Sequence, residues 1–136
     1  MIQLPPIPHI PEGITNCRFV QMYLAPENSV ICSVPILGVS FYNEDEHGMI
    51  IIETLERRGI KWPIANEQYL NRKKFPATSS LDYRLVGAGW FDNMNGEFIA
   101  YGGSADYIFG PDQEHFEALQ KVCSDFKFKI DLARGR

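Results

Sequence analysis

The sequence predicts an α+β fold, a mixed sheet of about five to six strands flanked by two main helices. Two segments alternate apolar and polar residues with a period of two, "CRFVQMYL" near the start and "FKFKIDL" near the end. Two others carry apolar residues at helical spacing, "HGMIIIETLERRG" and the run that follows "FGPD". Between the helical segments, an Asn95-Gly96 pair separates two more extended runs, the pattern of a β-hairpin.

A length of 136 residues fits one domain, 1–136, with one core. Hydrophobic residues make up 45% and charged residues 22%, so a packed core is expected rather than a disordered chain. The net charge of −4 argues against nucleic acid as a partner, and Arg72-Lys73-Lys74 is too short a basic run to reverse that. No apolar run reaches membrane-spanning length, and "MIQLPPIPHIP" is broken by prolines and reads as neither signal peptide nor anchor. Cys17, Cys32 and Cys123 are odd in number and far apart, which suits reduced thiols and a cytoplasmic location. The sequence leaves the oligomeric state open.

The elements follow in order. Pro5, Pro6, Pro8 and Pro11 predict an extended arm, because each ring fixes φ and removes an N–H donor. Residues 17–24 read as a strand and residues 30–42 as its antiparallel neighbour across the turn "APENS", with Pro35 implying an edge or a bulge. Glu44-Asp45-Glu46 precede a helix whose Met49, Ile52 and Leu55 share one face, and which ends on Arg57-Arg58-Gly59, in keeping with the helix dipole. Within residues 63–80, "NEQYLNRKKF" reads as a short helix and "PATSS" as a loop. Residues 81–91 and 96–101 form the hairpin. Pro111 suits the first turn of a second helix, on which Phe116, Leu119, Cys123 and Phe126 mark an apolar stripe. Residues 126–132 close the chain as a half-exposed strand.

The stretch "YGGSADYIFGP" carries the chemistry. Gly102 and Gly103 remove side chains that would hold an anion away from the backbone, and they permit the positive φ values that aim successive N–H groups at one point. Ser104 adds a hydroxyl. Two readings stay open, an anion cradle and a tight strand-to-helix turn with nothing bound.

Taken together, "IPHIPEGITNCRFVQMYL" and "LVGAGWFDNMNGEFIAYGGSADYIFGPDQEHF" make the chain resemble the Janus or ocnus family, whose enzymatic members are the small phosphohistidine phosphatases. The likeness covers the Ile-Pro lead-in, a basic residue on the first strand, the glycine-rich strand, the hairpin and the Tyr-Gly-x-Ser loop. Residues 63–80 look like an insertion relative to the family. The resemblance implies removal of phosphate from histidine, or from lysine, with a phosphorylated protein or small phosphoramidate as substrate and no metal or organic cofactor.

The resemblance also implies site residues. Gly103, Ser104, Ala105 and Asp106 occupy the positions of the phosphate cradle, and Arg18 that of the neutralising cation. A histidine near the start of the first helix does the catalytic work in the family. His47 fills that role here if one helical turn is missing, whereas an ungapped alignment puts Glu44 there. A neutral imidazole serves as general base or as phosphoryl acceptor; the alternative is a solvated histidine at an acidic helix start. The family's other arginines are replaced by Leu37-Gly38 and Trp90, with Arg18, Arg84 or the 72–74 segment as substitutes for the lost charge. The sequence therefore supports a phosphohistidine phosphatase-like enzyme, or a catalytically degenerate relative that binds phosphopeptides or a protein partner.

Overall fold

The computed structural model describes residues 4–42, 46–66, 75–104, 107 and 109–135. Its elements are β1 (Ile14–Leu24), β2 (Val34–Ser40), α1 (His47–Glu56), β3 (Ile64–Asn66), β4 (Phe75–Pro76), β5 (Tyr83–Met94), β6 (Glu97–Tyr101), α2 (Gln113–Val122) and β7 (Phe128–Ile130). Five strands make one sheet in the order β2-β1-β5-β6-β7. Its neighbours are antiparallel except β6 and β7, which run parallel, so the sheet is mixed and the fold is α+β.

Alternation along the strands sends side chains to two opposite layers. Val20, Met22, Leu24, Ile36, Leu85 and Ala88 meet Ile50, Ile51 and Leu55 of α1. On the other face, Phe19, Leu37, Phe91, Phe98 and Ala100 meet Phe116 and Leu119 of α2. Phe91 and Phe98 stack at 4.5 Å between ring centroids, and Phe116 stacks on Phe128 at 5.0 Å. The sheet is thus the middle layer of three.

α1 buries a different stripe from the one its sequence suggested. Ile50, Ile51, Thr54 and Leu55 face inward, while Met49 is 54% exposed. Three consecutive isoleucines allow more than one apolar face, and the close approach of Thr54 to Gly38 decides between them. A Cβ on Gly38 would stand 2.3 Å from Thr54 Oγ1. At the far end of the helix Gly59 has φ 71, as a terminal glycine should, and buried Arg58 donates to the carbonyls of Thr54 and Pro5.

α2 starts at Gln113, with Asp112 capping it by accepting from the His115 amide at 2.8 Å. Pro111 precedes the cap instead of occupying the first turn, and Cys123 and Phe126 lie past the last turn. β7 is shorter than expected, yet Phe126, Phe128 and Ile130 do pack against the α2-side core.

The hairpin forms, with φ of 56° at Asn95 and 74° at Gly96, but β5 starts at Tyr83 and runs on to Met94, so residues 92–94, expected outside the strand, pair with β6. The carboxylate of Glu12 accepts both turn amides. The proline arm is pinned along its length: Leu37 N donates to Pro6 O at 2.8 Å, and Asn93 Nδ2 donates to the carbonyls of Ile10 and Pro11. In the 63–80 segment, β3 and β4 form a separate two-stranded ladder. Pro76, read as loop, belongs to that ladder, and the helix expected over "NEQYLNRKKF" falls mainly on residues outside those described.

Candidate functional site

The two-residue turn at Asn95-Gly96 fixes the register of β5 and β6 and sets Trp90 opposite Tyr101. β1 in turn sets Arg18 opposite Trp90, and β2 sets Ser40 opposite Arg18. Ser40, Arg18, Trp90 and Tyr101 therefore form one row across four strands. By alternation with Val20 and Ala88, that row lies on the α1 face of the sheet.

The first residue of α1 reaches this row. His47 is 5% exposed, and its ring meets Trp90 edge-on with centroids 6.4 Å apart. Nε2 of His47 lies 2.9 Å from Gly89 O. A carbonyl oxygen only accepts, so Nε2 carries a proton directed at Gly89 O. Arg18, half-buried, lays its guanidinium over Trp90 at 4.3 Å from the ring centroid. Cation and aromatic face attract, and the ring fixes the plane of the guanidinium.

β6 delivers the glycine loop to the same side. Gly102 follows Tyr101 with φ 67, a left-handed conformation suited to glycine. At Gly103 a Cβ would stand 2.7 Å from the main-chain oxygen of Phe109. Ser104 N donates to that oxygen at 2.8 Å, closing the loop on itself. Tyr107 and Phe109 pack into the cluster that holds Ile50, Ile51 and Leu55, and the Tyr107 hydroxyl donates to Pro76 O. The loop and α1 thus occupy one face of the sheet.

Ser104 is 5% exposed, and its Oγ is buried with no hydrogen-bond partner among the described residues. An unpaired buried hydroxyl costs on the order of 1–3 kcal/mol, so an acceptor that reached it would recover that cost. A phosphate oxygen has this capacity.

Of the residues expected at a site, His47 and Arg18 each contact Trp90, and Gly103 and Ser104 lie in the loop whose Tyr107 and Phe109 pack on the α1-side cluster. Ala105, Asp106, Glu44 and the 72–74 segment lie outside the described residues. Arg84 is not a substitute cation on this face: it stacks over Tyr23 at 5.1 Å, and Tyr23 packs on His115 of α2, on the opposite side. Leu37 and Gly38 have structural duties that exclude a charged side chain. Leu37 is buried toward α2, and Gly38 receives Thr54.

Four further residues belong to this region although the sequence reading assigned them no role in it. Trp90 is the platform for Arg18. Asp92 accepts from the Asn16 amide at 2.8 Å and from Arg134 Nη1 at 2.6 Å. The Tyr101 hydroxyl donates to Asn16 Oδ1 at 2.6 Å, and the Arg134 guanidinium lies 3.7 Å from the Tyr101 ring centroid. Burial alone would raise the Asp92 carboxyl; the hydrogen bonds from Arg134 and Asn16, with the Arg134 charge and the Tyr101 hydroxyl, together hold it below its ordinary value. The Asn-Gly turn was the available signal for Trp90 and Tyr101, since it dictates their pairing. Nothing local to Arg134 announces its contact with Asp92, which is 42 positions away.

His115, by contrast, is a core residue. It is fully buried, with Nε2 donating to Met22 O at 2.8 Å and Nδ1 accepting from Gln21 Nε2 at 3.1 Å. Desolvation pushes its pKa down to about 4, and it stays neutral.

Neither a family model nor a curated protein matches the chain.

Proposed function

We propose that this protein is a Janus-like phosphohistidine phosphatase, removing phosphate from histidine, or from lysine, in a phosphorylated protein or a small phosphoramidate. The observation that carries the reading is the buried Ser104 hydroxyl, without a hydrogen-bond partner among the described residues, at the end of a glycine pair on the sheet face that also holds His47 and Arg18. The phosphoryl group would sit against Gly103, Ser104 and the Ala105 and Asp106 amides, with Arg18 offsetting its charge.

In this scheme a water oxygen bonds to phosphorus while the P–N bond breaks, and the electron pair of that bond passes to the departing nitrogen. His47 takes the proton from the water and returns a proton to the leaving group. With Nε2 bonded to the Gly89 carbonyl, Nδ1 would be the basic nitrogen of the neutral ring in this scheme. The same nitrogen can instead accept the phosphoryl group directly.

One observation favours a second reading, a degenerate relative that binds phosphopeptides without hydrolysing them. In the neighbourhoods where the resembled family presents arginines, on the second strand and after the glycine-rich strand, this chain has a core leucine (Leu37), a helix-contact glycine (Gly38) and an aromatic platform (Trp90). Transition-state charge is then less fully neutralised than ground-state binding requires. Phosphate release from a phosphohistidine peptide and from phosphoramidate, compared across wild type, His47→Ala and Glu44→Ala, decides between the readings. Release that disappears in His47→Ala supports the hydrolase. Release unaffected by that change removes His47 from the mechanism. Absent release, with phosphopeptide binding that weakens in Ser104→Ala, supports the binding protein.

A further inference from the structure

We infer that Arg134 is a positioning residue for the Gly102-Gly103-Ser104 turn, acting through Tyr101; its consequence for anion binding rests on the function proposed above. Gly102 and Gly103 have no side chains with which to anchor themselves, so the direction of the turn is set by what flanks it. On the far flank is the bridge between Ser104 and Phe109. On the near flank is Tyr101, which is 1% exposed.

Tyr101 is held on its face and at its tip. The Arg134 guanidinium covers the ring at 3.7 Å from its centroid, and the hydroxyl donates to Asn16 Oδ1 at 2.6 Å. Arg134 also grips what the hydroxyl grips: Nη1 meets Asp92 Oδ2 at 2.6 Å and Nη2 meets Asn16 Oδ1 at 3.2 Å. Asn16 is itself fixed in a left-handed conformation, φ 55, beside an irregularity in the β1–β5 register, with its amide bonded to Asp92 Oδ1. One guanidinium therefore joins β1, β5 and β6 around a single ring.

The segment after β7 is arranged to present that guanidinium. Asp131 N donates to Ala100 O at 2.8 Å, and Asp131 then accepts from the amides of Ala133 and Arg134. A lone surface ion pair contributes little. Here the pair is charge-assisted, stacked on an aromatic ring and shared with a third polar partner, and it bears on the residue from which the glycine turn departs.

Amide hydrogen exchange separates positioning from general stability, because it reads the turn itself. In Arg134→Ala, exchange at Gly103 and Ser104 is expected to rise about tenfold relative to wild type, while the amides of Ile51 and Phe116 are unchanged. The dissociation constant for inorganic phosphate should rise with it. Arg134→Lys, which keeps a cation over the ring but loses the fork, should fall between the two, and Asp92→Asn should move exchange in the same direction as Arg134→Ala. Turn amides that do not respond, a change spread evenly over the sheet, or faster turn exchange with unaltered phosphate affinity would each overturn the inference. A wild-type protein that takes up no phosphate would instead defeat the functional proposal, and the exchange comparison alone would then decide the role of Arg134.

Discussion

Across 2.9 Å, Nε2 of His47 donates to the main-chain oxygen of Gly89, so the first residue of α1 is tied directly to the central strand of the sheet. The acceptor cannot be moved by side-chain substitution, only by displacing the strand. Gly89 allows such a displacement to be tested. A Cβ there would lie 2.7 Å from Tyr101 O and 3.1 Å from the Phe19 ring. Backbone oxygen yields little, so Gly89→Ala is expected to push β5 from β6 and shift the carbonyl that orients the imidazole. Urea unfolding should show a loss of about 1–3 kcal/mol, and phosphoryl release should fall more than stability alone explains.

Ser104→Ala should have effects of opposite sign on stability and on binding. Removing a buried hydroxyl that lacks a partner among the described residues leaves the unliganded fold as stable as wild type or more so. Phosphate affinity should weaken by about 1.5 to 3 kcal/mol, since a hydrogen bond to a charged acceptor is lost. Thermal melting and a phosphate titration check the two signs. Destabilisation with unchanged affinity would make the serine a purely structural residue.

Stability should depend on pH through His115. Its folded pKa, about 4, lies below the ordinary 6.5, so between those values the unfolded chain binds a proton that the folded chain refuses. The contribution of neutral His115 is fully present above about pH 6.5 and is lost as pH falls toward 4. Its full size is on the order of 3 kcal/mol. Subtracting the pH profile of His115→Gln from that of wild type isolates the effect, and a flat difference between pH 4 and 6.5 would contradict it.

Arg58 joins the proline arm to α1. Its buried guanidinium donates to Pro5 O and Thr54 O, and burial, followed by the charge of Arg57, lowers its pKa. Arg58→Ala leaves those carbonyls without their donor and should cost about 1–3 kcal/mol in urea unfolding. Limited proteolysis within residues 4–12 should accelerate in the same variant.

What the sequence disclosed follows the range of the interactions. The Asn95-Gly96 turn is local and was legible, whereas the end of β5 was not, because residues 92–94 are held in the strand by pairing with β6. The two-fold alternation of residues 17–24 revealed that Arg18 and Phe19 point to different layers, but not that Arg18 would meet Trp90, because β1–β5 pairing joins residues 72 positions apart. The face of α1 was misread because the contact that orients it, Thr54 on Gly38, depends on where β2 lies in the finished sheet. Gly102-Gly103-Ser104 was legible as a turn from its glycine pair. The clamp on Tyr101 was not, since Asn16, Asp92 and Arg134 come from three separate parts of the chain.

The most direct test of the central claim is a titration of isotopically labelled protein with inorganic phosphate, following the His47 ring nitrogens and the Ser104 amide by nuclear magnetic resonance. If imidazole and glycine turn address one anion, both signals move together and yield a single dissociation constant. If only one responds, or if the two report different affinities, His47 and Ser104 do not share a site.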